Sequence, residues 1–158
     1  YALLRSAKEE GINTAIESTS CTKFETIERA LPYIDYYLMD IKHTDSRKHK
    51  EYTGVSNELI LENARRIAES GQNLTIRVPV IPGFNDTESE ISSIAEFAAG
   101  LKGVTELHLL PYHRLGLDKY KGLGRDYAMN GAELLTAEKK EALKNAAEKY
   151  GLNITIGG

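Results

Sequence analysis

Cysteine is nearly absent: Cys21 is the only one among 158 residues. A single thiol excludes an internal disulfide and any all-cysteine metal site within the chain. Long apolar runs are missing too, and none approaches the roughly 20 residues needed to span a bilayer. Cations are not in excess. A formal net charge of -3 gives no reason to expect nucleic acid or an anionic membrane as partner. No basic-then-apolar leader opens the sequence, so the expected compartment is the cytoplasm. Internal repeats, low-complexity tracts and an interdomain linker are also lacking. What remains, 41% hydrophobic, suits one soluble domain over residues 1–158 with a sizeable core.

Five segments rich in apolar or β-branched residues stand out: INTAIES (12–18), YYLMDIK (36–42), NLTIRVPVI (73–81), VTELHLLPY (104–112) and LNITIGG (152–158). Helical patterns separate them at 24–31, 57–70, 88–101 and 137–150. Ser56 is the expected N-cap of the second of these, and Thr87 with Glu90 has capping-box spacing before the third. Thr136 and Gly151 bracket the fourth. Strands alternating with helices predict right-handed βαβ crossovers and a mostly parallel α/β sheet. A doubly wound dinucleotide fold would carry a glycine-rich turn after its first strand, and ESTSC has no glycine. A barrel or partial (β/α) barrel therefore fits better. The opening YALLRSAKEEG reads as the rear half of an amphipathic helix ended by Gly11. It suggests a piece of a longer protein; the alternative is a chain that simply begins at a helix.

In such barrels the active site lies at the C-terminal ends of the strands. Glu17 and Ser18 end the first strand, and Asp40 and Lys42 the second. Arg77 faces away from Ile76 and Val78 on the third, and the fourth leads into His113 and Arg114. Taken singly, each has a plainer reading: an ion pair for Asp40 and Lys42, an edge charge for Arg77, a loop histidine for His113, a turn cap for Glu17. Together they carry more weight. Charges are costly to bury unpaired, so compensating charges on neighbouring strand ends imply a polar ligand bearing both signs. His43, His49 and His108 lack ligand-like spacing and read as surface or packing residues. Pro82 and Gly83 suit the centre of a type II turn at the rim. The glycine-dotted segment 113–135 is long enough to cover a ligand or touch a partner protein, or to be an idle surface loop.

YYLMDIK, YTGVSNELILENARRIAESG, IRVPVIPGFND and LLPYHRLGLDKYKGLG, in this order, resemble the radical S-adenosylmethionine enzymes that activate glycyl radical enzymes, the pyruvate formate-lyase activating enzyme among them. The resemblance runs from about Ile12 to the C-terminus. It implies a TIM-barrel-like partial barrel, incomplete on its N-terminal side. It also implies that Asp40 and Lys42 (the D-x-K pair), Arg77 and His113 contact bound S-adenosylmethionine. Glu17 and Ser18 fall where such activases carry an acidic residue followed by a small hydroxylated one. In some members that pair helps hold a monovalent cation, with Asp40 as a further contact.

The resemblance further implies a 4Fe-4S cluster in the parent protein, held by a C-x3-C-x2-C motif that this chain does not contain. No catalytic residue is therefore assigned within the chain, which is expected to be inactive alone. The implied partners are a glycyl radical enzyme as protein substrate and an electron donor such as flavodoxin. Two rivals stay open: a Schiff-base aldolase-type barrel using Lys42, and a non-catalytic barrel fragment serving as an interaction module.

Overall fold

The computed structural model describes residues 1–127 and 129–157. Gly158, the last residue of the expected fifth strand, and Ala128, within the long loop, lie outside them. The chain begins with α1 (Ala2–Glu9), β1 (Ala15–Ser18), α2 (Phe24–Glu28) and a 3-10 turn at Leu31–Tyr33, then β2 (Tyr36–Asp40). Next come α3 (Ser46–Thr53), α4 (Glu58–Glu69), β3 (Leu74–Val80), α5 (Glu88–Ala99) and β4 (Glu106–Pro111). The last elements are α6 (Leu117–Gly122), α7 (Ala137–Glu148) and β5 (Asn153–Ile156).

All neighbouring strands are parallel, and their spatial order is their chain order, β1-β2-β3-β4-β5. Crossovers of one hand between successive neighbours put the main connecting helices, α4, α5 and α7, on the same face. That is the winding of a (β/α) barrel and not of a doubly wound sheet, whose strand order reverses. Among the described residues β1 and β5 do not pair, so the barrel is partial and open.

Side-chain parity shows which face is which. In β3, Leu74, Ile76, Val78 and Val80 are buried, while Thr75, Arg77 and Pro79 between them are half-buried. Met39, Ile76, Leu107 and Ile154 continue the buried layer across the sheet. Over them lie Ile60, Ala64 and Ile67 of α4, Ile91, Ile94 and Ala98 of α5, and Leu143 and Ala147 of α7. Each fully buried large aliphatic contributes roughly 1.5–3 kcal/mol, and the alanines let the helices approach the sheet closely. The opposite face carries Asp40, Arg77 and His108 in one row, paired in register.

Thr87 and Glu90 form the expected capping box of α5, and the Thr136 hydroxyl accepts from Lys139 N at the start of α7. The start of α4 differs from expectation. Asn57, not Ser56, is its N-cap, and it makes no side-chain cap bond. Its side chain donates instead to the carbonyl of His43, 2.6 Å away. Two short helices, α3 and α6, were not expected. α3 has almost no apolar stripe and is held by its ends: Asp45 caps it, and Gly54 closes it with φ 83°.

Candidate functional site

The C-terminal ends of β1 to β4 and the segment after β4 enclose a cleft of about 510 Å³. Glu17, Asp40, Arg77 and His113 all line it. Asp40 and Arg77 sit opposite one another in register, on the face away from the helices. Glu17 shares that face because its register partner is Leu38, two residues before Asp40. His113 follows β4 directly. The volume lies within the roughly 300–1,000 Å³ range of small-molecule and cofactor sites.

One wall is charged. Arg77 Nη1 lies 2.6 Å from Glu17 Oε2, and Lys42 Nζ donates to Asp40 Oδ2 at 2.8 Å. Asp40 Oδ1 and Arg77 Nε, both buried, have no protein partner among the described residues. Lys42 does not itself line the cleft; it stands beside Asp40 as its counter-ion. The opposite wall is aromatic and apolar, made by Leu110, Tyr112, Tyr120, Tyr127 and Met129. Tyr120 and Tyr127 meet edge to face with centroids 4.9 Å apart. The Tyr112 hydroxyl beside Tyr127 pushes that phenol up to about 12, so it stays neutral. A ligand suited to this cleft has a charged end and a flat, less polar end.

Not every expected residue is brought in. Ser18 pairs in register with Met39, so its side chain belongs to the helix-covered face, where its Oγ accepts from Ser20 N at 2.9 Å. Glu17 offers its carboxylate to the Arg77 guanidinium. Arg114 turns away to the carbonyl of Ala132. His43 and His49 are buried packing residues, as expected. His108 is a different matter. It lies beside Arg77 in register on the open face, with Nε2 3.7 Å from Glu106. The alternation of Leu107, His108 and Leu109 already carried that signal.

Pro82 and Gly83 form the expected turn. Phe84 N donates to Ile81 O, and Gly83 has φ 78°. This turn delivers Asn85, a residue that sequence reasoning passed over. Asn85 is fully buried and touches backbone groups of both neighbouring strand ends. Behind it, Glu90 accepts from Lys48, Thr87 and His43. Burial raises the Glu90 carboxyl, but these hydrogen bonds outweigh it and hold it at about 2. His43 Nδ1 accepts from Asp45 N, which puts the ring proton on Nε2, facing Glu90.

An iron–sulfur cluster does not fit these residues. Such clusters need several thiolates, and the sole cysteine is exposed. No group of three or more His, Cys, Asp or Glu side chains among the described residues is arranged to hold a metal ion. No described helix is long and apolar enough to cross a membrane.

No family model matches the chain. Over 98% of its length it is 39% identical to the choline trimethylamine-lyase activating enzyme of Oleidesulfovibrio alaskensis, of which it covers 51%. To the isethionate sulfite-lyase activating enzyme of Desulfovibrio desulfuricans it is 42% identical, over 98% of this chain and 50% of that protein. The chain thus spans about half the length of the curated relatives it matches. A solved domain of pyruvate-formate lyase-activating enzyme from Bacteroides vulgatus superposes with a TM-score of 0.82 at 33% identity, over 99% of this chain and 88% of that one. With identity and coverage of that order, the chain belongs to the family of glycyl radical enzyme activating enzymes.

Proposed function

We propose that residues 1–158 are a single domain, the C-terminal part of a partial barrel, and that its cleft binds S-adenosylmethionine in a glycyl radical enzyme activating enzyme. One observation carries this reading: Asp40 Oδ1 and Arg77 Nε are a buried acceptor and a buried donor, adjacent in register and without protein partners among the described residues. Leaving such groups unmade costs about 1–3 kcal/mol each, more for charged ones. A zwitterionic ligand answers both. Arg77 donates to its carboxylate, and Asp40 accepts from its ammonium or a ribose hydroxyl. Lys42 holds Asp40 in place, and Glu17 and His113 bound the polar end. The tyrosines face the purine. Ser18 contributes no side chain to the cleft. The cofactor's sulfonium and ammonium explain why carboxylates and cations alternate along this wall.

When bound in the parent protein, that cofactor supplies, on reductive cleavage, the power to remove a hydrogen atom from a glycine of a partner enzyme. This chain's own residues bind and orient it. The thiolates for a 4Fe-4S cluster come from outside these residues, and an electron-donor protein such as a flavodoxin serves the parent in the cytoplasm. The same limit makes the chain inactive alone.

Isothermal titration of S-adenosylmethionine into the chain tests the reading. Saturable binding is expected, weakened about tenfold or more by Asp40→Ala. No saturable binding, or an Asp40→Ala variant that binds like wild type, overturns it. Anaerobic incubation with dithionite is expected to yield no 5′-deoxyadenosine from the isolated chain; measurable product shows that the chain needs no outside thiolates.

A further inference from the structure

Pro79 interrupts the pairing of two central strands. In the β2–β3 ladder, Ile41 N donates to Arg77 O at 2.9 Å. With Asp40 opposite Arg77, the next bond of a parallel ladder would run from the N–H of residue 79 to Ile41 O. Proline has no N–H, so that bond cannot form. Beyond this point β2 leaves the sheet, and Pro79 O and Ile81 N would face its side without a strand to pair them.

The Asn85 carboxamide occupies that position. Its Oδ1 accepts from Ile81 N at 2.7 Å, and its Nδ2 donates to Pro79 O at 2.8 Å. A residue of a parallel neighbour opposite Val80 would make this same pair of bonds. The second Nδ2 hydrogen goes to Lys42 O at 2.7 Å. All three polar positions of the amide are therefore used, at a site with 0% exposure. Lys42 is ion-paired to Asp40, and Pro79 and Ile81 line the cleft. One side chain thus spans the break between the strands that carry Asp40 and Arg77.

We propose that Asn85 is a positioning residue: it replaces the strand that Pro79 excludes and fixes the Asp40–Lys42 strand end against β3, so that the charged wall is preformed for S-adenosylmethionine. The consequence for that ligand rests on the function proposed above; the latch itself does not. Thr, Ser or Asp at this position cannot make all three bonds. Asp keeps the acceptor for Ile81 N but turns both donors into an anion facing two carbonyls.

Asn85→Ala and Asn85→Asp test it beside Leu143→Ala, a core truncation under α7, away from the cleft. Amide hydrogen exchange of the ligand-free chain is read first. Exchange at Ile41 and Ile81 is expected to quicken about tenfold or more in Asn85→Ala, and at Ile41 in Asn85→Asp, relative to Leu143→Ala. Affinity for S-adenosylmethionine is expected to fall about tenfold or more in the Asn85 variants and to stay at the wild-type value in Leu143→Ala. Unchanged exchange overturns the latch. Faster exchange with wild-type affinity overturns the positioning role. Should the wild-type chain bind no S-adenosylmethionine, the proposed function fails, while exchange still decides the latch. Asn85→Asp supplies a second measurement if Asn85→Ala does not fold.

Discussion

Arg77 Nη1 reaches Glu17 Oε2 at 2.6 Å although β2 runs between their strands. The two partners are unequally buried: the Arg77 side chain is 15% exposed and that of Glu17 57%. An ion pair with one solvated member contributes little, about 1 kcal/mol or less. Arg77 also carries a buried Nε without a partner among the described residues, which costs stability. Glu17→Gln is therefore expected to shift unfolding in urea by less than about 1 kcal/mol. Arg77→Met is expected to be neutral or stabilising by up to about 1 kcal/mol, because an apolar side chain removes a poorly satisfied charge. The same substitution is expected to weaken S-adenosylmethionine about tenfold or more. A variant that loses stability and keeps affinity would show that Arg77 is structural.

Lys42 answers the aldolase alternative. Its Nζ donates to Asp40 Oδ2 and does not line the cleft, so a carbonyl compound there meets no free amine. Schiff-base chemistry needs an unprotonated amine in reach of the carbonyl. Incubation with pyruvate and borohydride is expected to leave the mass of the peptide containing Lys42 unchanged. A reduced adduct on Lys42 would instead make the lysine a nucleophile.

Much of this site was legible because strand parity is a strict rule. YYLMDIK and NLTIRVPVI alternate, so Asp40 and Arg77 had to share a face, and the parallel order then placed them side by side. The same rule counted against pairing Glu17 with Ser18, since adjacent strand residues face opposite ways. Ser18 accordingly lies on the helix side. Asn85 was not legible. Its partners are backbone atoms from two strand ends, and their spacing in sequence, four to 43 residues, has no pattern. α3 escaped notice because its stability comes from the Asp45 cap and the Gly54 stop, with only His49 buried among its residues. Hydrophobic periodicity, the main helix signal, is absent there.

Glu90 ties the start of α5 to α3 through Lys48 and to the β2 exit through His43. Burial opposes its ionisation, yet the hydrogen bonds hold it at about 2 in the folded chain, below the ordinary carboxylate range. The unfolded chain therefore takes up the proton first as pH falls. Stability from Glu90 is full above the ordinary carboxylate value and is lost on acidification down through about 2. With a side chain only 15% exposed, the contribution near neutral pH is roughly 2–3 kcal/mol. Urea unfolding across this range should show a steep acid limb in the wild type and a flatter one in Glu90→Gln. Parallel curves would mean that other carboxylates set the acid limb.

The turn that delivers Asn85 depends on Gly83. Its φ of 78° is a conformation that side chains with a Cβ rarely adopt, while an added Cβ would meet nothing within 4 Å. Any penalty on substitution therefore comes from the backbone and not from crowding. Gly83→Ala is expected to cost about 1–2 kcal/mol in urea unfolding. Gly83→Asn is expected to cost less, because a short polar side chain tolerates the left-handed region. The Tyr52 hydroxyl donates to Gly83 O, and the Tyr52 ring stacks on Phe84 at 4.5 Å, so the turn is held on both sides and has little room to change type. If alanine and asparagine cost the same, steric strain at this φ is not what selects glycine. If alanine costs nothing, the turn has relaxed, and Asn85 must then keep its three bonds from a different backbone path, which amide exchange at Ile81 would report.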